Sequence, residues 1–176
     1  SNDIKSELER DFRDLLTAIR FFNPKTYSIY FSNIAKELYL GFRIEEIIEK
    51  RRDILNRYRN YLKEKEDYII LSTKLLNING VKVFIVDMEY NIPSFNVIEV
   101  LQKRLGKDLD YVFILYDNRG EIRTTNNKNV LEIAKCLGGG GHLYAAGFQY
   151  ENKDIAIKKI KECLEKILKN EDKPIV

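Results

Sequence analysis

Four consecutive glycines, Gly138 to Gly141, run directly into His142, the single histidine of the chain. Glycine loses more backbone freedom on ordering than any other residue. A run of four is therefore costly unless φ must be positive or side chains would collide with something. Successive amides in such a loop can form a nest for an anion. Ala145, Ala146 and Gly147 follow at once and repeat the demand for small volume. Two tight segments around one histidine point to a backbone that comes close to a ligand. A second reading stands beside it: the glycines cap the preceding helix and hinge into the next strand, leaving His142 as an ordinary surface or core residue. The loop is not a P-loop, which needs Gly-Lys followed by Ser or Thr. Nor is it the dinucleotide fingerprint, whose spaced glycines join a strand to a helix.

Other residues offer less. His142 has no nucleophile or orienting carboxylate within its motif, so it is not read as a general base. Asp87 and Glu89 share a side at strand spacing, but with one histidine in the chain no further donors gather around them, and no metal centre is expected here. Tyr68, Tyr111, Tyr116, Tyr144 and Phe148 could each stack a base, worth roughly 1–3 kcal/mol where it happens. Most of these belong in a core. Tyr144, inside the glycine-rich segment, is the one expected to meet a ligand. Arg51, Arg52, Arg57 and Arg59 read as a solvated helix face. Cys136 and Cys163 fall in helical segments outside any CxxC pair and read as thiols of a cytoplasmic protein.

The elements that must position this loop come from hydrophobic periodicity. Apolar residues at spacings of three and four predict helices over 4–22, 32–40 and 44–65, with Asn23-Pro24 and Gly41 as stops. Residues 1–66 are thus a helical segment or linker. From residue 67 to 176 the pattern is mixed. Strands are expected over 68–76, 81–88, 109–116, 121–125 and 145–150, with Asn77 to Gly80 as a turn. Helices are expected over 95–105, 129–137 and 154–168. This order predicts an α/β domain, a mixed β-sheet flanked by helices, preceded by the helical segment.

Thirty Lys and Arg against twenty-seven Asp and Glu give a net charge of +3 over 176 residues. No basic tail exists to drive non-specific duplex binding. No apolar run approaches the length of a membrane span, so no membrane partner is expected. Ser1-Asn2 reads as the remnant of a cleaved tag, which leaves room for a partner domain outside this sequence.

The stretch from Gly138 to His142 followed by Ala145-Ala146-Gly147-Phe148 resembles the glycine-rich signature of the DHH-associated C-terminal domain. That family includes RecJ-type exonucleases, oligoribonucleases and cyclic-dinucleotide phosphodiesterases. The run-up is similar too. Arg123-Thr124 stands where members often place Arg-Ser at a strand end, and Glu132-Ile133-Ala134 matches the short helix before the loop. The likeness spans about residues 69–168 and is most specific over 120–148. It implies that Arg123, Thr124, Gly138, Gly139, Gly140, Gly141, His142 and Tyr144 hold a phosphate or terminal nucleotide. The partners it implies are a short single-stranded nucleic acid or nucleotide phosphate and a catalytic DHH domain, in cis or in trans. That separate domain carries the Asp-His-His triplet and two divalent ions, usually manganese. No cofactor is expected in this chain, and alone it is expected to be inactive. The competing reading is a non-catalytic docking or homodimerisation module, using the residue 1–65 helices, with a structural glycine loop.

Overall fold

The computed structural model describes residues 2–171, with the side chains of 3–169. The readings that touch Ser1 and residues 172–176 lie outside the described residues. Seven helices and six strands are described, and the chain divides into two compact units between Lys65 and Glu66.

The first unit is helical: α1 (Asn2–Phe22), α2 (Tyr27–Tyr39), α3 (Ile44–Lys50) and the start of α4 (Arg52–Leu71). Its core gathers Leu15, Ile19, Ile34, Ile47, Ile48 and Leu55. Three expectations are corrected. The single helix expected over 44–65 is broken at Arg51, which leaves helical geometry at φ −118° and ψ 22°. Beyond the break, α4 continues to Leu71 and absorbs residues read as the start of a strand. A short apolar run does not distinguish a buried helix from a strand. Here Ile69 falls on the stripe begun by Leu55 and Tyr58, at helical spacing, and all three are fully buried. The second helix also starts five residues earlier than expected, where Tyr27 and Phe31 pack at 5.4 Å between ring centroids.

The four arginines read as a solvated helix face have intramolecular partners. Arg51 pairs with Glu37 at 2.6 Å and Arg52 with Glu49 at 3.0 Å. Arg57 lies 4.1 Å above the Phe22 ring, and Arg59 reaches Asp11 at 2.5 Å and Asp14 at 3.2 Å.

The second unit holds one open six-stranded sheet in the order β1-β2-β3-β4-β6-β5. β1 (Thr73–Ile78) and β2 (Val81–Asp87) form an antiparallel hairpin. Its turn residues Asn79 and Gly80 both have positive φ, 51° and 81°, as a right-twisted two-residue hairpin requires. After α5 (Ser94–Leu105), β3 (Tyr111–Leu115) returns parallel to β2. β4 (Arg119–Arg123), α6 (Val130–Cys136), β5 (Gly140–Gly141), β6 (Ala145–Gln149) and α7 (Lys153–Glu171) follow, and the remaining pairings are antiparallel.

One sheet face buries Val83, Ile85, Phe113, Ile122, Ala146 and Phe148 together with residues of α6 and α7. All five residues of β3 are buried, so this central strand is covered on both sides.

Cys136 and Cys163 form a disulfide, which overturns their reading as thiols. Their separation of 27 residues carries no signal. Packing of α6 against α7 brings the two Cα atoms to 6.0 Å, within a disulfide's reach. The support that free thiols lent to a cytoplasmic location is lost with them. No described helix is long and apolar enough to cross a membrane.

Candidate functional site

Side chains alternate along a strand, so β4 sends Arg119, Glu121 and Arg123 to one face and Gly120 and Ile122 to the other. Ile122 enters the core under α6 and α7. On β6, Ala146 and Phe148 point into that core, and Ala145, Gly147 and Gln149 share the opposite face with the three charged residues.

The registers assemble these residues into rows. Arg123 pairs with Ala145, and Ala145 exchanges backbone hydrogen bonds with His142, at 2.9 and 3.4 Å. Glu121 pairs with Gly147, which pairs with Gly140, and Arg119 pairs with Gln149. Paired residues in an antiparallel ladder project to the same side. One row is therefore Arg123–Ala145–His142, and the next is Glu121–Gly147–Gly140. With strands about 4.8 Å apart, the Arg123 and His142 backbones stand about 10 Å apart with only an alanine methyl between them.

The four glycines have different reasons to be glycine. Gly138 has φ +81° and ends α6, its amide bonding to the Lys135 carbonyl at 3.0 Å. A Cβ at Gly139 would lie 2.0 Å from the Gly147 carbonyl oxygen, and one at Gly141 would lie 2.6 Å from the Ala146 Cα. Both belong to the close approach between this loop and β6. Gly140 is exposed, and a Cβ there would meet nothing within 4 Å. No described residue explains it.

The amides divide in the same way. Those of Gly138, Gly139 and His142 donate to Lys135, Ala134 and Ala145 carbonyls, so they close the helix end and the hairpin. Bonded and non-bonded pairs alternate along an antiparallel ladder, which turns the Gly141 amide toward the open β5 edge. The loop is thus partly a cap and hinge, and Gly138 and its Gly140–His142 end are exposed.

Arg123 is three-quarters covered and already engaged. Nη2 donates to Glu121 Oε1 at 3.0 Å, and Nη1 donates to the carbonyls of Ile122 at 3.0 Å and Ala146 at 3.3 Å. Thr124 Oγ1 accepts the amides of Asn126 and Lys128 and so shapes the loop leading to α6. Asn129 caps α6 by accepting from the amides of Leu131 and Glu132, at 3.1 and 3.3 Å. The Val130 amide then donates to the Leu143 carbonyl at 2.9 Å, fastening the tip of the His142 hairpin to the helix start. At that tip Tyr144 is 47% exposed, and His142 is exposed beside it.

The other aromatic candidates are occupied by the fold. Tyr111, Tyr116 and Phe148 are buried, and Tyr68 packs edge-on against Tyr90 at 4.9 Å. Burial pushes the Tyr116 phenol well above its ordinary pKa, and the neighbouring Glu121 charge adds to this. Its hydroxyl donates to the Ile92 carbonyl. Asp87 is not an open acid, since its carboxylate pairs with Lys153, and that hydrogen bond holds the lysine above its ordinary pKa. Among the described residues no three His, Cys, Asp or Glu side chains cluster as metal ligands. With Asp87 committed to a lysine, the donors present do not fit a two-ion centre.

Sequence reasoning passed over Glu121 and Asn129. The spacing of Glu121 and Arg123 in a strand does place them on one face, and Asn immediately before an apolar helical run is a capping signal.

No protein-family model matches the chain, and no curated protein sequence matches it. Solved structures with a similar fold include a DHH domain, a phosphodiesterase and an exopolyphosphatase-related protein. A DHH domain from a member of the s1p family of ribosomal proteins matches at TM-score 0.55 and 16% identity, over 89% of this chain and 50% of that one. A pGpG-specific phosphodiesterase from Vibrio cholerae matches at 0.55 and 14%, over 82% and 51%. An exopolyphosphatase-related protein from Bacteroides fragilis matches at 0.50 and 17%, over 86% and 46%. The chain spans about half the length of these structures, and at such identities the likeness is one of fold.

Proposed function

We propose that the second unit is the substrate-binding half of a DHH-type phosphoesterase. In this reading the part of its sheet face formed by β4, β6 and β5 takes the phosphate and terminal nucleotide of a short single-stranded nucleic acid or of a nucleotide. The observation that carries the reading is the row Arg123–Ala145–His142, two hydrogen-bond donors flanking an alanine beside a floor of two glycines. A guanidinium is a planar fork matched to phosphate oxygens, and a charge-assisted bond of this kind contributes about 1.5–3 kcal/mol. The His142 ring offers a nitrogen donor. The outward Gly141 amide adds a neutral donor, and Thr124 helps hold the loop that positions them. Tyr144 supports the base or ribose.

Binding and orientation are what these residues supply. Hydrolysis belongs in this reading to a separate catalytic domain, in cis or in trans, which carries the divalent ions, and no step of that chemistry is assigned to this chain.

The second reading, a docking or homodimerisation module, draws on one observation. Gly138, Gly139 and Gly141 are all accounted for by contacts or conformation within the chain.

Titration followed by NMR separates the two. A 5′-phosphorylated dinucleotide should shift the signals of Arg123 and Gly140–His142, and Arg123→Ala should weaken binding at least tenfold while leaving the fold intact. Shifts confined to residues 1–65, with the Arg123 variant unchanged, support the docking module instead. Steady hydrolysis by the isolated chain with manganese overturns the assignment of catalysis elsewhere.

A further inference from the structure

We infer that Glu121 reads the sugar of the bound nucleotide, its carboxylate accepting a ribose hydroxyl, so that the site takes ribonucleotides in preference to 2′-deoxyribonucleotides. This rests on the phosphate site proposed above and deepens it. Glu121 lies two residues from Arg123 on the same strand and face, about 6.8 Å along the strand. That step is comparable with the reach from a phosphate across one sugar ring. A phosphate between Arg123 and His142 therefore brings its sugar over the next row, where Glu121 stands beside Gly147 and Gly140. Neither of those residues projects a side chain. Gly140 has no steric or conformational need within the chain to be glycine, and the space above it is open.

The electrostatics favour this role over simple support of Arg123. The Arg123 Nη1 is already held by two backbone carbonyls, so the guanidinium does not depend on Glu121 alone for its position. A carboxylate beside a phosphate opposes anion binding; its ion pair with Arg123 offsets part of that, and a donor from the ligand offsets more. A carboxylate accepts at both oxygens, and Arg123 takes Oε1. Ribose hydroxyls are the donors a nucleotide brings, and carboxylates receive them in dinucleotide sites. The 2′-hydroxyl is also what separates RNA from DNA at a given position.

The shared chemistry is a ribose hydroxyl next to a phosphate, whether on a free nucleotide or at an RNA end. The test compares adenosine 5′-monophosphate with its 2′-deoxy form, and a 5′-phosphorylated diribonucleotide with its deoxy counterpart, by NMR titration of the full chain. The wild type should prefer the ribo form about tenfold, as one hydrogen bond to a charged group provides. A preference shown by the dinucleotides alone assigns the contact to an RNA end. In Glu121→Ala that preference should collapse, and in Glu121→Gln, which keeps one neutral acceptor, it should shrink. The deoxy form should bind the alanine variant at least as well as it binds the wild type, because Arg123 loses a competing anion. A purely structural Glu121 would instead weaken both sugars equally. Equal affinity for both sugars in the wild type, or a preference that survives both substitutions, overturns the sugar assignment and leaves the phosphate site standing. Failure of every probe to bind overturns both.

Discussion

Cys136, the last residue of α6, is bonded through sulfur to Cys163 of α7, and the glycine loop begins two residues later. The bond closes a loop across a sequence separation of 27 residues and fixes the end of the helix from which the candidate site hangs.

Reduction should therefore be measurable as lost stability. Loop-closure entropy for a ring of this size is about 3–4 kcal/mol. Urea unfolding with and without a strong reductant should show a loss near this size in the second unit. A Cys136→Ser/Cys163→Ser chain should match the reduced wild type and no longer respond to reductant.

The glycine run should give unequal responses to alanine. Gly139→Ala forces a Cβ against a carbonyl oxygen 2.0 Å away and should cost about 3 kcal/mol through overpacking and backbone shift. Gly140→Ala enters open space and should change stability by less than about 0.5 kcal/mol. Thermal unfolding of the two variants in parallel checks this.

Most of the second unit was legible in the sequence because its strands are short and bounded by turn residues. Asn79-Gly80 and Asp117-Asn118 mark two reversals, and the structure places positive φ at Asn79, Gly80 and Asn118. The strand at 68–71 was misread because Tyr68, Ile69, Ile70 and Leu71 suit both a strand and a buried helix. The continuing stripe from Leu55 decides between them only once the helix is allowed to extend. The disulfide was invisible since it depends on α6 lying against α7. For the site, the histidine and glycines were legible as types. Which glycine serves the chain and which lies open depends on where β6 passes, and no spacing reports that.

Acid should weaken the first unit through Glu37. Its hydrogen bonds from Arg51 and then Lys50 hold its carboxyl below the ordinary glutamate range. A group whose pKa is depressed on folding contributes stability above its unfolded value, and loses it as pH falls through the folded value. Wild type should be more stable than Glu37→Gln at pH 7, and the gap should begin to close below about pH 4.3. Paired urea titrations across pH 7 to 3 check it. A gap that widens on acidification would reverse the sign of this argument.

Asn129→Ala should cost about 1 kcal/mol, the ordinary value of a lost helix cap. Its effect should extend to the hairpin tip, because the Val130 amide holds the Leu143 carbonyl. Amide exchange at Leu143 and Tyr144 should accelerate in this variant, and Asn129→Ser should restore most of the protection.

Every residue of the three-row platform lies between Arg119 and Gln149. No pairing in it spans more than that segment, so the ring closures that build it are short beside those of a protein whose site draws on distant parts of the chain. Low contact order favours rapid assembly. The candidate surface should thus be in place once β4, α6 and β6 have condensed, with the β1–β2 hairpin at the far end of the sheet free to join before or after it. Pulse-labelled exchange during refolding would register this as protection of the β4 and β6 amides appearing together.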